Sequence, residues 1–118
     1  MPSISVVIPT KDRESILVNS LDKLLKADPD QRFEIIVIND SENPILLPES
    51  FAERVKVERN KGRGVASARN TGAELSAANW LWFLDDDMWV NRLLADRVQQ
   101  HISSGTHEIG RASCRERV

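Results

Sequence analysis

The sequence predicts an α/β domain: a mostly parallel sheet with helices on both faces. Three observations carry this. Short continuous apolar runs, which read as buried strands, alternate with segments of helical spacing. Their order is βα, β, βα, βα, as a sheet with crossover helices requires. Three of the strand runs end in polar clusters, Pro9-Thr10, Asn39-Asp40 and Asp85-Asp86-Asp87. In parallel sheets such ends share one crevice, where ligands bind.

The first strand is Ser3 to Pro9, rich in β-branched residues. Glu14 to Lys26 follows as a helix, with Ile16, Leu17, Leu21, Leu24 and Leu25 at helical spacing. Asp12 lies in its N-cap region, and Asp28-Pro29-Asp30 stops it. Phe33 to Ile38 is the second strand. Ser41 to Ser50, with Pro44 and Pro48, is a loop. Arg54 to Glu58 fits a short third strand, and Asn60 to Gly64 a turn with permissive glycines. Val65 to Ala78 is alanine-rich and helical despite Gly72. Trp80 to Leu84 is the fourth strand, and Trp89 to Ile102 returns to helical spacing.

With 118 residues, the chain is sized for one compact domain. Its 41% hydrophobic and 29% charged residues describe a soluble globular protein. A formal charge of -2 gives no electrostatic reason to expect nucleic acid or an anionic membrane as partner. No apolar stretch approaches the roughly 20 residues of a membrane span. The N-terminus runs straight into a strand pattern, so no secretory signal is expected. The lone Cys114 fits a reducing, cytoplasmic setting. Glu108 to Val118 has neither helical nor strand periodicity and looks like one reading frame of a sequencing adapter. The expected organisation is therefore a domain over residues 1–107 and a non-native tail over 108–118, with the natural protein continuing beyond His107. A genuine polar tail is the alternative.

The aspartate triplet is the sharpest chemical signal. Crowded carboxylates at a strand end repel one another unless a cation or donor groups compensate. Their oxygens suit Mg2+ or Mn2+, which in turn bridge to phosphates. A solvated acidic loop or helix start is the plainer reading. Asp40 could accept an N–H from a nucleobase edge, or could simply open an Asx-turn. Lys61-Gly62-Arg63-Gly64 resembles a phosphate cradle, but Ser67 breaks the strict G-x-G-x-x-G pattern. Arg69 could neutralise a phosphate or stack near a base, or stand exposed on its helix. Asn70 could tether the adjacent loop. Trp80, Trp82 and Trp89 could contact sugars, although packing suits the first two better. His101 has no ligand-spaced partners and reads as a surface residue.

Together these segments resemble the donor-binding half of a family 2 glycosyltransferase with the GT-A fold. The match rests on Ser5-Val6-Val7-Ile8-Pro9-Thr10, Glu34 to Ser41, Asn60-Lys61-Gly62 through Ala68-Arg69-Asn70-Thr71-Gly72, and Phe83-Leu84-Asp85-Asp86-Asp87. The resemblance implies an incomplete GT-A domain whose parent transfers a sugar, with inversion, from a nucleotide-diphosphate sugar, typically UDP-linked, to an acceptor hydroxyl. It implies that Pro9 and Thr10 line the nucleotide pocket and Asp40 contacts the base. Arg69 and Asn70 would belong to the helix beside the nucleotide. Asp85 and Asp87 match the outer positions of the D-x-D motif, Asp87 being the direct ligand of Mg2+ or Mn2+, with Asp85 or Asp86 approaching the ribose or sugar. The catalytic base is expected in a second half that this chain lacks. Lys11-Asp12-Arg13 and Met88 depart from the usual family residues. Two rival readings are a non-catalytic nucleotide-binding module and an aspartate-nucleophile phosphohydrolase. The latter is expected to carry its D-x-D after the first strand, not the fourth.

Overall fold

A computed structural model describes residues 4–103 and 116–117. The strands are β1 (Ile4–Thr10), β2 (Phe33–Asn39), β3 (Val55–Arg59), β4 (Trp80–Phe83) and the two-residue β5 (Glu116–Arg117). The helices are α1 (Glu14–Ala27), α2 (Gly64–Leu75) and α3 (Arg92–Ser103), with a 3-10 turn at Glu49–Phe51. The sheet order is β3-β2-β1-β4-β5, and every pairing is parallel. The pair of β5 with Trp80 and Leu81 is one that no periodicity announced. Apart from those two residues, the expectation that 108–118 lies outside the domain concerns residues outside the described ones.

Strand alternation divides the core between the two faces. Ile4, Val6, Ile8, Phe33, Ile35 and Val37 pack with Leu17, Leu21 and Leu24 of α1 and Ala95 and Val98 of α3. Val7, Ile36, Ile38 and Leu81 turn the other way and pack with Ala68 of α2. Gly72 lets α2 lie close: a Cβ there would collide with the Val7 side chain.

Helix ends differ from the sequence reading for identifiable reasons. Asp12 takes a left-handed φ of 54° and donates its N–H to Ser41 Oγ, so Arg13 precedes α1 instead. α2 stops at Leu75 because Ser76 turns extended and donates its hydroxyl to Ser5 Oγ. α3 starts at Arg92, where Asn91 Oδ1 accepts the Leu94 N–H at 2.8 Å. Trp82 meets Phe33 edge-on at 5.7 Å, and Trp80 is half-buried against the same core.

Two polar clusters brace the sheet. Asp28 is fully buried and accepts from Arg32 N, Arg32 Nε, Phe33 N and Arg54 Nη2, all at 3.0 Å. It joins the end of α1 to the starts of β2 and β3. Removing its charge leaves buried donors without an acceptor. Asp28→Asn is expected to cost about 3 kcal/mol in urea unfolding.

On the α2 face, Glu34 accepts hydrogen bonds from Ser5 Oγ, Lys56 Nζ and Ala77 N. Burial disfavours the Glu34 charge, but these donors and the Lys56 charge outweigh it and hold its pKa below the ordinary value. A depressed carboxylate pKa contributes stability that is fully present above the unfolded pKa, about 4.3, and is lost as pH falls through the folded one. Glu34→Gln should therefore be less stable than the parent at pH 7. The gap should narrow as melts are taken at pH below the unfolded value and close below the folded one.

Candidate donor-binding site

The chain winds outward from β1 through β2 to β3, then crosses back to place β4 on the other side of β1. The switch point thus lies between β1 and β4, where doubly wound sheets open a crevice. One hydrogen bond spans it: Thr10 Oγ1 donates to Asp86 Oδ2 at 2.8 Å. From below, Ser20 Oγ of α1 donates to the Asp86 carbonyl at 2.7 Å.

The three carboxylates, grouped in the sequence reading at one exposed end, have separate environments. Asp86 is 6% exposed and held by Thr10, with Arg13 Nη1 3.4 Å from its Oδ1. Asp85 and Asp87 are exposed. Arg13 Nη2 stands 3.4 Å from Asp87 Oδ2. All three line a cavity of about 260 Å3 together with Pro9, Thr10 and Arg13. A larger cavity of about 820 Å3 adjoins it, lined by Asn39, Arg59, Asn60 and Arg63 among others. Lys11, Asp40, Gly64 and Val65 border both. Pro9, Thr10, Asp40 and the aspartates are therefore brought together.

Asp40 has a role that neither sequence reading anticipated. Its Oδ2 accepts the N–H of Gly64, the first residue of α2, at 3.0 Å. A carboxylate from the end of β2 thereby caps a helix elsewhere in the chain, at the end where its dipole favours negative charge. Asp40 Oδ1 accepts from Asn60 Nδ2 at 2.9 Å. The turn-opening role falls to Asn39, whose Oδ1 accepts the Ser41 N–H.

Asn60 is the residue that sequence reasoning passed over as a turn position. Its Oδ1 accepts from Gly62 N, Ser67 Oγ and Thr71 Oγ1, and its Nδ2 donates to Asp40 and to the Gly64 carbonyl. Only its position between a strand and a glycine-rich turn hinted at this.

Arg69 and Asn70 lie elsewhere. Arg69 stacks over Phe83 at 5.8 Å, with its buried Nε unpartnered, and Asn70 is exposed; neither lines the two cavities. Trp89 is exposed beneath Lys23 Nζ, 5.1 Å from the ring. His101 is exposed on α3. Among the described residues, no three His, Cys, Asp or Glu side chains converge as a ready-made metal cage. Two exposed carboxylates on one cavity wall still fit Mg2+ or Mn2+. Such ions are commonly held by one or two carboxylates, with phosphates and water completing the shell. No described helix is long and apolar enough to cross a membrane.

The Glycosyl transferase family 2 model matches residues 5–111. An uncharacterized glycosyltransferase of Haemophilus influenzae is 34% identical over 86 residues, covering 71% of this chain and 29% of that protein. S. aureus TarS in complex with UDP-GlcNAc superposes with a TM-score of 0.69 at 22% identity, over 88% of this chain and 32% of that one. The Pyrobaculum calidifontis mannosyltransferase PcManGT, in complex with GDP-Man and Mn2+, gives 0.65 at 22% identity, over 83% and 32%. The two structural likenesses show a shared fold, the GT-A fold. The chain thus spans about a third of the length of these three proteins.

Replacing Asn60 removes an acceptor for three donors and a tether on Asp40. Asn60→Ala is expected to lose about 2 kcal/mol in urea unfolding. Hydrogen exchange at the first turn of α2 should rise with it.

Proposed function

Because the chain belongs to glycosyl transferase family 2, we propose that it supplies the donor-binding part of an enzyme that transfers a sugar from a nucleoside-diphosphate sugar to an acceptor hydroxyl with inversion. The observation that carries this reading is the joined cavity at the switch point. Its walls hold a strand-end carboxylate, Asp40, at the junction and a pair of exposed carboxylates, Asp85 and Asp87, at one end.

In this reading the larger cavity takes the nucleoside and the smaller one the diphosphate and sugar. Pro9 and Thr10 line the smaller cavity, beside the junction formed by Lys11, Asp40, Gly64 and Val65. Asp40 keeps acceptor capacity toward a base edge while it caps α2, since a carboxylate offers about four lone-pair sites. Uracil is the base proposed. Arg69, stacked over Phe83, serves by holding α2 against β4, and Asn70 stands on the exposed side of the same helix; they need not touch the donor. Asp87, assisted by Asp85, holds a divalent ion, which when bound supplies positive charge to a leaving diphosphate. Asp86 keeps the acidic loop in place for that task. Lys11 and Arg13 add positive charge on the same wall.

The general base and the acceptor site belong, in this proposal, to parts of the parent protein outside residues 1–107, with 108–118 as a non-native tail. Residues 1–107 carry no cysteine and so no internal disulfide, and a cytoplasmic setting is proposed for them. For this chain taken by itself, binding of the donor nucleotide is the testable step. Titration calorimetry should find UDP binding that depends on Mn2+, and Asp87→Ala should weaken it by about tenfold or more, the loss of a charge-assisted interaction. UDP binding indifferent both to metal and to Asp87→Ala would remove the site assignment.

A further inference from the structure

The placement of Arg13 goes beyond the donor-site reading, on which the following inference rests. Arg13 immediately precedes α1, and its carbonyl accepts the Leu17 N–H at 2.9 Å, so its backbone is fixed by the helix. Its guanidinium is another matter. The side chain is 43% exposed and stands on the wall of the smaller cavity. It reaches Asp86 Oδ1 and Asp87 Oδ2, each at 3.4 Å. That is longer than the roughly 2.7–2.9 Å of a tight charge-assisted pair. Asp87 is itself 56% exposed, so water screens the contact. The two partners are also unequal. Asp86 is buried and already satisfied by Thr10, whereas Asp87 is met by Arg13 from an exposed position on the cavity wall.

We propose that Arg13 is a built-in counter-ion that occupies Asp87 until a divalent ion and a diphosphate arrive. Arg13 then exchanges Asp87 for the diphosphate. A guanidinium and a divalent ion repel each other across one carboxylate, so the ion binds Asp87 against the charge of Arg13. Once released, the planar fork of Arg13 suits phosphate oxygens, and its fixed backbone keeps it at the cavity wall. Arg13 therefore ties metal binding to donor binding: metal alone is held weakly, and metal with nucleotide is held well. Asp86 does not take part in the exchange, because Thr10 keeps it.

The test uses the whole chain and Mn2+, with free ion counted by electron paramagnetic resonance. Without nucleotide, Arg13→Gln should bind Mn2+ about 3- to 10-fold more tightly than the parent, while Arg13→Lys, which keeps the charge, stays near the parent value. At saturating Mn2+, Arg13→Gln should bind UDP about 5- to 10-fold more weakly. Mn2+ affinity in Arg13→Gln equal to or below the parent's, no Mn2+ binding by either, or the same gain in Arg13→Lys overturns the proposal. Unchanged UDP affinity overturns its second half. A second measurement needs no variant protein to fold well: the Arg13 Nε–Hε signal of the unmodified chain should shift when Mg2+ and UDP are added together, and a signal that stays put counts against the exchange. Asp87→Asn separates the two layers. If it loses Mn2+ while Arg13→Gln behaves as the parent, the donor site stands and the counter-ion falls. If it retains Mn2+, both fall.

Discussion

The hydrogen bond from Thr10 Oγ1 to Asp86 Oδ2 decides where the acidic loop can stand. β1 and β4 are parallel neighbours, and their ladder ends at Val7 and Phe83. Beyond that point the Leu84 N–H, bonded to the Val7 carbonyl, keeps the chain after β4 beside β1. Thr10 extends the pairing by a side chain. Asp86 is drawn inward, and its two neighbours must point away. A buried central carboxylate thus sets the direction of the two exposed ones. Ser20 secures the same residue from α1, so a strand, a loop and a helix agree on one position.

The same economy holds on the other side of the crevice. Asp40 and Asn60 fix the start of α2 to the ends of β2 and β3. The groups that shape the larger cavity are therefore also those that keep the helix in place. Gly72 completes the arrangement by allowing α2 to approach β1 closely. At the opposite end of the sheet, Asp28 gathers Arg32 and Arg54 without touching the crevice.

Most of the scaffold was legible because a doubly covered sheet demands unbroken apolar strands. Ile35 to Ile38 or Val6 to Ile8 admit few other readings. The gathering of Pro9-Thr10, Asn39-Asp40 and Asp85 to Asp87 followed from topology. What remained hidden depended on tertiary hydrogen bonds, which leave no period in the chain. Nothing local distinguishes Asp86 from Asp85 and Asp87, and the hydrogen bonds from Thr10 and Ser20 separate them. Asp40 gives no sign that it caps a helix 24 residues away. Asn60 reads as any turn asparagine until its hydrogen bonds to Asp40, Gly62, Gly64, Ser67 and Thr71 are traced. The early end of α2 turned on Ser76, whose hydroxyl donates to Ser5 on the central strand β1.

Trp89 gives the molecule an optical property. It stands two residues beyond Asp87 and is 65% exposed, whereas Trp82 is sealed in the core and Trp80 is half-covered. Of the three indoles, Trp89 is the most open to bulk water, and it shares a loop with the acidic residues. An indole so exposed is expected to emit to the red of the interior pair and to meet collisional quenchers. The chain carries its own fluorophore beside the crevice, and the colour of its tryptophan light reports on that loop without any dye.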